Sequence, residues 1–261
     1  MTNVLKFDGD NSRTLETMYT APEVVAQRRA VLQMLQPCLA EKVLDVGCGP
    51  GFLVKELARA AGPDGKVSAI DISESALALA RKRCEEYSCV EFRCAGANHL
   101  PYPDAFFDAA VAVQVYEYVM DLDRAFSELY RVLRSRGRAV IVDTDWATIV
   151  WHSTDVARMR HILEAWNEHL IDPVLPRTLA AQMRQAGFVV REASVVSYLN
   201  TEYDLNNYSY GLAKLICSFV PGRHEVTREE VEGWSEELQQ LGSAGAYFFS
   251  LNRYVFLAEK P

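Results

Sequence analysis

The stretch VLDVGCGPG, residues 43–51, decides how the rest of the chain is read. Three glycines alternate at 47, 49 and 51, directly after an apolar run. A carboxylate, Asp45, stands two residues before the first of them. A turn of the Gly-x-Gly-x-x-Gly kind cradles a dinucleotide pyrophosphate. Here Phe52 occupies the place of its third glycine, and the spacing is Asp-x-Gly-x-Gly-x-Gly. An acid at the turn also repels phosphate. The loop therefore calls for a ligand that carries positive charge and no phosphate.

Working outward, apolar runs alternate with helical periodicity from about residue 42 to 143. KVLDV (42–46) reads as a strand, and the next segment as a helix with Val54, Leu57, Ala58 and Ala61 on one face. After a Gly-Pro-Asp-Gly turn at 62–65, KVSAID (66–71) is a second strand. Ser73 caps a helix that buries Ala76, Leu77, Ala80 and Cys84. VEFRCA (90–95) and DAAVAV (108–113) are further strands; Asp121 or Asp123 opens a helix carrying Leu122, Phe126, Leu129 and Leu133; RAVIVD (138–143) is a fifth strand. This alternation predicts an α/β fold with a parallel sheet and helices on both faces. Ligands of such sheets bind beyond the carboxyl ends of the strands, where the glycine loop falls. Later segments predict helices over 154–170 and 177–187, a strand over 188–199, two helices within 203–243 and a last strand over 247–260.

S-adenosylmethionine (SAM) meets the ligand description, with a sulfonium, an ammonium, a carboxylate, a ribose and an adenine. VLDVGCGPG resembles the first motif of class I SAM-dependent methyltransferases, and AIDIS (69–73) the second. LPYPDAFFDAAVA (100–112) and ELYRVLRSRGRAVIVD (128–143) are similar to segments of the ubiquinone/menaquinone methyltransferase type. The resemblance implies a Rossmann-like fold, with a mostly parallel seven-stranded sheet and helical lid insertions. It implies one domain over 1–261: a helical lid at 1–38, a SAM-binding core at 41–145, substrate-lid insertions at 146–175 and 201–246, and a final strand at 247–261. It also implies roles for individual residues. Gly47, Gly49 and Gly51 let the backbone approach the methionine part of SAM, and Asp45 supports the loop or the ammonium. Asp71 accepts from the ribose hydroxyls and Ile72 packs on the adenine. Gln114 meets the methionine end, and Tyr19 closes over the cofactor.

The chain departs from the family pattern at one site position. An aspartate that binds the adenine amino group usually stands four residues before the Leu-Pro pair; here that residue is Gly96. Recognition of the adenine then passes to Ala97 or Asn98.

Methyl transfer from a sulfonium is an in-line displacement driven by positioning, so no fixed catalytic motif is expected. After the fourth strand the chain reads Gln114-Val115-Tyr116-Glu117-Tyr118. That lacks the Asn/Asp-Pro-Pro-aromatic run of base methylation and the paired glutamates of arginine methylation. Asp143 and Asp145 read as caps or supports, and no metal is expected. The candidates for proton transfer are Asp145, His152, Glu117 and Tyr116. Trp146, Trp151, Tyr210 and Phe249 are candidates for the walls of an apolar pocket. The acceptor expected is a small organic molecule.

Composition agrees. The chain has 261 residues, 49% hydrophobic and 24% charged, with a formal net charge of −8. Such a balance gives no overall pull toward nucleic acid or an anionic membrane. The six cysteines form no Cys-x-x-Cys and read as reduced thiols of a cytoplasmic protein. The N-terminus reads as no signal peptide, and no run approaches a membrane span. Two rival readings are a SAM-binding scaffold without transfer activity and, against the loop spacing, an NAD-dependent oxidoreductase.

Overall fold

The computed structural model describes residues 10–261. The chain divides into two compact units. One comprises Arg28–Thr144, Val174–Val196 and Arg253–Pro261 and is called the sheet unit. The other comprises the described part of Met1–Gln27 with Asp145–Pro173 and Ser197–Asn252, and is called the helical unit.

In the sheet unit, β1 (Lys42–Val46), β2 (Lys66–Asp71), β3 (Val90–Cys94), β4 (Phe107–Val113) and β5 (Leu133–Thr144) run parallel in the order β3-β2-β1-β4-β5. β8 (Phe249–Glu259) adds antiparallel to β5 through Arg253–Glu259, and β7 (Val189–Asn200) pairs with β8. These make the seven strands expected. Strand order reverses between β1 and β4, which puts a topological switch point at the glycine loop. Both faces are covered because buried parallel strands are apolar on both sides. Val43 of β1 packs on one face with Leu35, Leu57 and Leu77; Leu44 and Val46 pack on the other with Phe126, Leu129 and Leu179.

The helices form for local reasons. Ser73 caps α4 (Glu74–Arg83) by accepting from the Ala76 N–H at 3.2 Å. Asp121, rather than Asp123, caps α5 (Leu122–Val132) from the Arg124 N–H at 2.9 Å. α2 (Pro22–Leu35) precedes β1 in the chain, α3 (Phe52–Ala61) buries the four residues its period predicted, and α7 (Pro176–Gln185) is the helix expected over 177–187. β5 begins earlier than expected: Leu133 pairs with Phe107, and the ladder resumes at Arg138 against Ala109. The residues between bulge out, with Arg136 in left-handed backbone (φ 62) and its N–H on the Lys260 carbonyl at 2.7 Å.

Glu128 ties α5 to the turn after β3. It accepts from the Leu100 N–H at 2.9 Å and from Arg131 Nε and Nη2 at 2.8 and 2.9 Å. The Arg131 guanidinium pulls its carboxyl down to about 2, against the cost of burial. A depressed pKa stabilises the fold above the ordinary glutamate value, and that contribution fades as pH falls toward about 2. Glu128→Gln is expected to cost about 2–3 kcal/mol at pH 7. In urea titrations the gap from wild type should close as pH is lowered from about 4.5 to about 2. A gap that does not change with pH would mean that packing, not the charge, is what the variant lost.

In the helical unit, the expected helix over 154–170 is α6 (Val156–Trp166) followed by a 3₁₀ turn at Asn167–His169. The two late helices are α8 (Tyr208–Phe219) and α9 (Arg228–Ser243). A two-residue strand, β6 (Val150–Trp151), pairs with Phe249 and Ser250, an eighth strand in a segment expected to be only lid. Glu237 of α9 gathers the Ser153 hydroxyl, the Thr154 backbone and hydroxyl, and Arg158 Nη2. Thr154 and Arg158 hold it at about 2 despite burial, which raises it. Among the described residues no helix is long and apolar enough to cross a membrane.

Candidate functional site

The loop after β1 is pinned from beneath. The Gly47 and Cys48 N–H groups both donate to the Ile70 carbonyl of β2, at 2.8 and 2.9 Å. Gly47, Gly49 and Gly51 all have left-handed backbone, with φ 71, 51 and 81. The chain's own packing already demands two of them. A Cβ on Gly47 would stand 2.3 Å from Val115 Cγ2, and one on Gly51 2.9 Å from the Ala80 Cα. The Cys48 and Cys84 thiols point at the Gly49 and Gly51 carbonyls, both at 3.7 Å. Phe52, the residue that breaks the dinucleotide spacing, lies under the Arg83 guanidinium at 3.6 Å and near that of Arg28 at 5.3 Å.

Asp71 joins the end of β2 to this loop. One carboxylate oxygen accepts from the Gly49 N–H and the other from the Ser73 N–H, both at 2.8 Å. Burial pushes the carboxyl up, and the Ser73 and Gly49 donors work against that. Asp45 is not on the loop surface. It is buried inside β1 between Ala69 and Val111, and burial, with the Asp71 charge, pushes it up to about 8.

Ile72 follows Asp71 and is 67% exposed, an unusual state for isoleucine. Beside it lie the residues after β3. A Cβ on Gly96 would meet Ile72 Cγ2 at 3.7 Å, and Cys94 Sγ reaches the Ile72 carbonyl at 3.7 Å. Ala97 is buried and Asn98 half-buried, the Asn98 carbonyl accepting from Arg124 Nε at 3.3 Å. The structure thus brings Gly47, Gly49, Gly51, Asp71, Ile72, Ala97 and Asn98 to the carboxyl ends of β1, β2 and β3.

Past β4, Gln114 has left-handed backbone (φ 56) and its side-chain amide donates to Thr144 Oγ1 at 2.5 Å and Glu117 Oε1 at 3.3 Å. Glu117 is fully buried; its Oε2 accepts from the Thr144 N–H at 3.4 Å, and its own N–H donates to Asp143 Oδ1 at 3.5 Å. Burial and the nearby Glu117 raise Asp143 strongly, with Arg253 opposing. The reading from sequence missed Arg253 and Thr144, and treated Asp143 only as a support. Tyr116 is corrected from candidate base to core residue: it is 1% exposed, its ring packs 4.6 Å from Phe126, and burial raises its phenol.

The remaining candidates lie in the helical unit. Asp145 is buried and caps the 3₁₀ turn at Trp146–Thr148, accepting from the Ala147 N–H at 3.1 Å. His152 is exposed, and its N–H donates to the Phe248 carbonyl at 2.9 Å. Tyr19 is half-buried in α1 (Asp10–Thr20). Three expected pocket walls are core residues instead. Trp146 packs edge-on against Trp166 at 5.9 Å, and Trp151 against Trp234 at 5.2 Å and Phe249 at 4.7 Å. Phe249 has no exposed surface. Tyr210 is half-buried and packs edge-on against Tyr203 at 5.4 Å.

Comparison with known proteins agrees with this geometry. A family model described as a methyltransferase domain matches residues 44–141. The ubiquinone/menaquinone biosynthesis C-methyltransferase of Ralstonia nicotianae is 36% identical over 103 residues, covering 39% of this chain and 42% of that protein. The chain therefore spans under half the length of such relatives. An uncharacterised 37.1 kDa protein of transposon Tn4556 from Streptomyces fradiae is 27% identical over 260 residues, 96% of this chain and 71% of its own. Among solved structures, the [4+2]-cyclase SpnF shares the fold, with a TM-score of 0.60 and 24% identity over 91% of this chain and 82% of that one. Residues 44–141 thus match a methyltransferase domain, and over about this stretch the chain is similar to ubiquinone/menaquinone C-methyltransferases.

Proposed function

We propose that this chain transfers the methyl group of SAM to a small organic molecule by in-line displacement. The observation that carries the reading is Asp71. Its carboxylate sits at the end of β2, tied to the glycine loop at Gly49 and flanked by the exposed Ile72. The residues fit the cofactor. The oxygens of Asp71 keep lone pairs for the ribose hydroxyls, Ile72 offers an apolar shelf to the adenine, and the left-handed glycines turn the backbone into the N-terminus of α3. When bound, SAM supplies an electrophilic methyl on a sulfonium. Gln114, held by Glu117 and Thr144, faces the methionine end in this reading.

Of the candidates for taking a proton from the acceptor, Glu117 is buried within the sheet unit; within the helical unit Asp145 is buried and His152 exposed. Acceptor selection is assigned to the helical unit, whose Val150, Val156, Ile171 and Leu205 are exposed apolar side chains and where Tyr210 lies. The six cysteines are free thiols, which supports a cytoplasmic setting. Gly96 favours one second reading, SAM binding without transfer, because it supplies no acceptor for the adenine amino group.

Thiol labelling tests the cofactor assignment. Cys94, beside Ile72, and Cys38 are both exposed. Saturating S-adenosylhomocysteine (SAH) is expected to slow alkylation of Cys94 by about tenfold or more and to leave Cys38 unaffected, since a bound ligand excludes reagent only where it sits. NAD should do neither. A rise in melting temperature with SAH but no protection of Cys94 would place the ligand away from the β2–β3 shelf.

A further inference from the structure

Gly96 differs from the glycines of the loop. Gly47 and Gly51 are fixed by left-handed backbone and by close neighbours. Gly96 has neither constraint: its backbone suits any residue, and a Cβ there would meet, apart from its chain neighbours, one atom within 4 Å, Ile72 Cγ2 at 3.7 Å. That is ordinary van der Waals contact. Neither the fold nor the packing asks for glycine, so the residue leaves a gap at the end of β3 beside the 67% exposed Ile72. The Asn98 carbonyl accepts from Arg124 Nε at 3.3 Å.

Resting on the SAM reading of this shelf, we infer that Gly96 sets cofactor specificity by opening the adenine edge of the site to substituents on the 6-amino group. The ligand class is an adenosyl thioether or sulfonium carrying an alkyl or arylalkyl group on that nitrogen. Two penalties normally bar such ligands. A carboxylate at this position loses one donor hydrogen when the amine is substituted, and the substituent collides with the carboxylate. Gly96 removes both. One N–H survives on the substituted amine and can still donate to an acceptor such as the side-chain amide oxygen of the half-buried Asn98.

The experiment is calorimetric titration of the full chain with SAH and with its N6-benzyl derivative. The readout is the ratio of their dissociation constants, which uses no turnover. Wild type is expected to bind the benzyl derivative within about threefold of SAH, and Gly96→Asp to disfavour it by about 30-fold or more, as overpacking predicts. Gly96→Leu fills the gap without charge and should also raise the ratio above about tenfold, which keeps the test alive if the aspartate variant does not fold. A wild-type ratio above about tenfold, or a folded variant with an unchanged ratio, overturns the inference. Failure of wild type to bind SAH at all overturns the cofactor reading beneath it, a different result from selective rejection of the benzyl derivative.

Discussion

Asp71→Ala should raise the dissociation constant for SAH by about 100-fold, the equivalent of roughly 2.7 kcal/mol. Two effects add. In the proposed reading the variant loses charge-assisted hydrogen bonds to the ribose hydroxyls, worth about 1.5–3 kcal/mol. It also strips the acceptor from the Gly49 N–H, so the middle of the loop loses its tie to the last residue of β2. The sheet beneath does not depend on that tie, because Gly47 and Cys48 stay bonded to the Ile70 carbonyl. Far-ultraviolet circular dichroism should therefore be unchanged. Asp71→Asn should fall between, since an amide NH₂ would face the Gly49 or Ser73 N–H. Calorimetry decides: affinity within about threefold of wild type would mean that Asp71 only anchors the loop.

The largest loss of stability is expected from Gly51→Ala. The new Cβ would lie 2.8 Å from the Ala80 Cβ and 2.9 Å from its Cα, with φ at +81. Left-handed strain costs about 1–2 kcal/mol and overpacking about 1–3 kcal/mol more. The obstacle is partly backbone, so trimming residue 80 cannot relieve it. Gly47→Ala is a contrasting case. Its Cβ would clash with Val115 Cγ2 at 2.3 Å, a side-chain atom. Val115→Ala should therefore restore about half of the loss at Gly47, and Ala80→Gly should restore little at Gly51, in a double-mutant comparison of urea stabilities. Equal rescue at both sites would contradict this account of the loop.

These residues also show what could be read from the sequence. β1 and β2 fall at the expected boundaries because a buried parallel strand is an unbroken apolar run between punctuating turns. The Ser73 cap was legible because a capping residue has a fixed place beside such a run, whereas Asp71 was singled out by resemblance to the second motif. Non-local contacts were not. Phe52 between Arg28 and Arg83 joins three distant segments, and Arg253 reaches Asp143 from the last strand. The early start of β5 depends on one pairing, Leu133 with Phe107, that no local pattern marks. Aromatic density gave the least secure guide. Trp146, Trp151 and Phe249 look the same in sequence whether they line a pocket or fill a core, and here they fill the core.

One measurement tests most directly whether the chain transfers a methyl group to a small molecule. The chain is incubated with SAM labelled in its methyl group and a low-molecular-weight cell extract, and the label is followed by chromatography. The account predicts a labelled small organic product and stoichiometric SAH from wild type, with both lost in Asp71→Ala. Bound SAM with no labelled product, or label found in protein or nucleic acid instead, would contradict it.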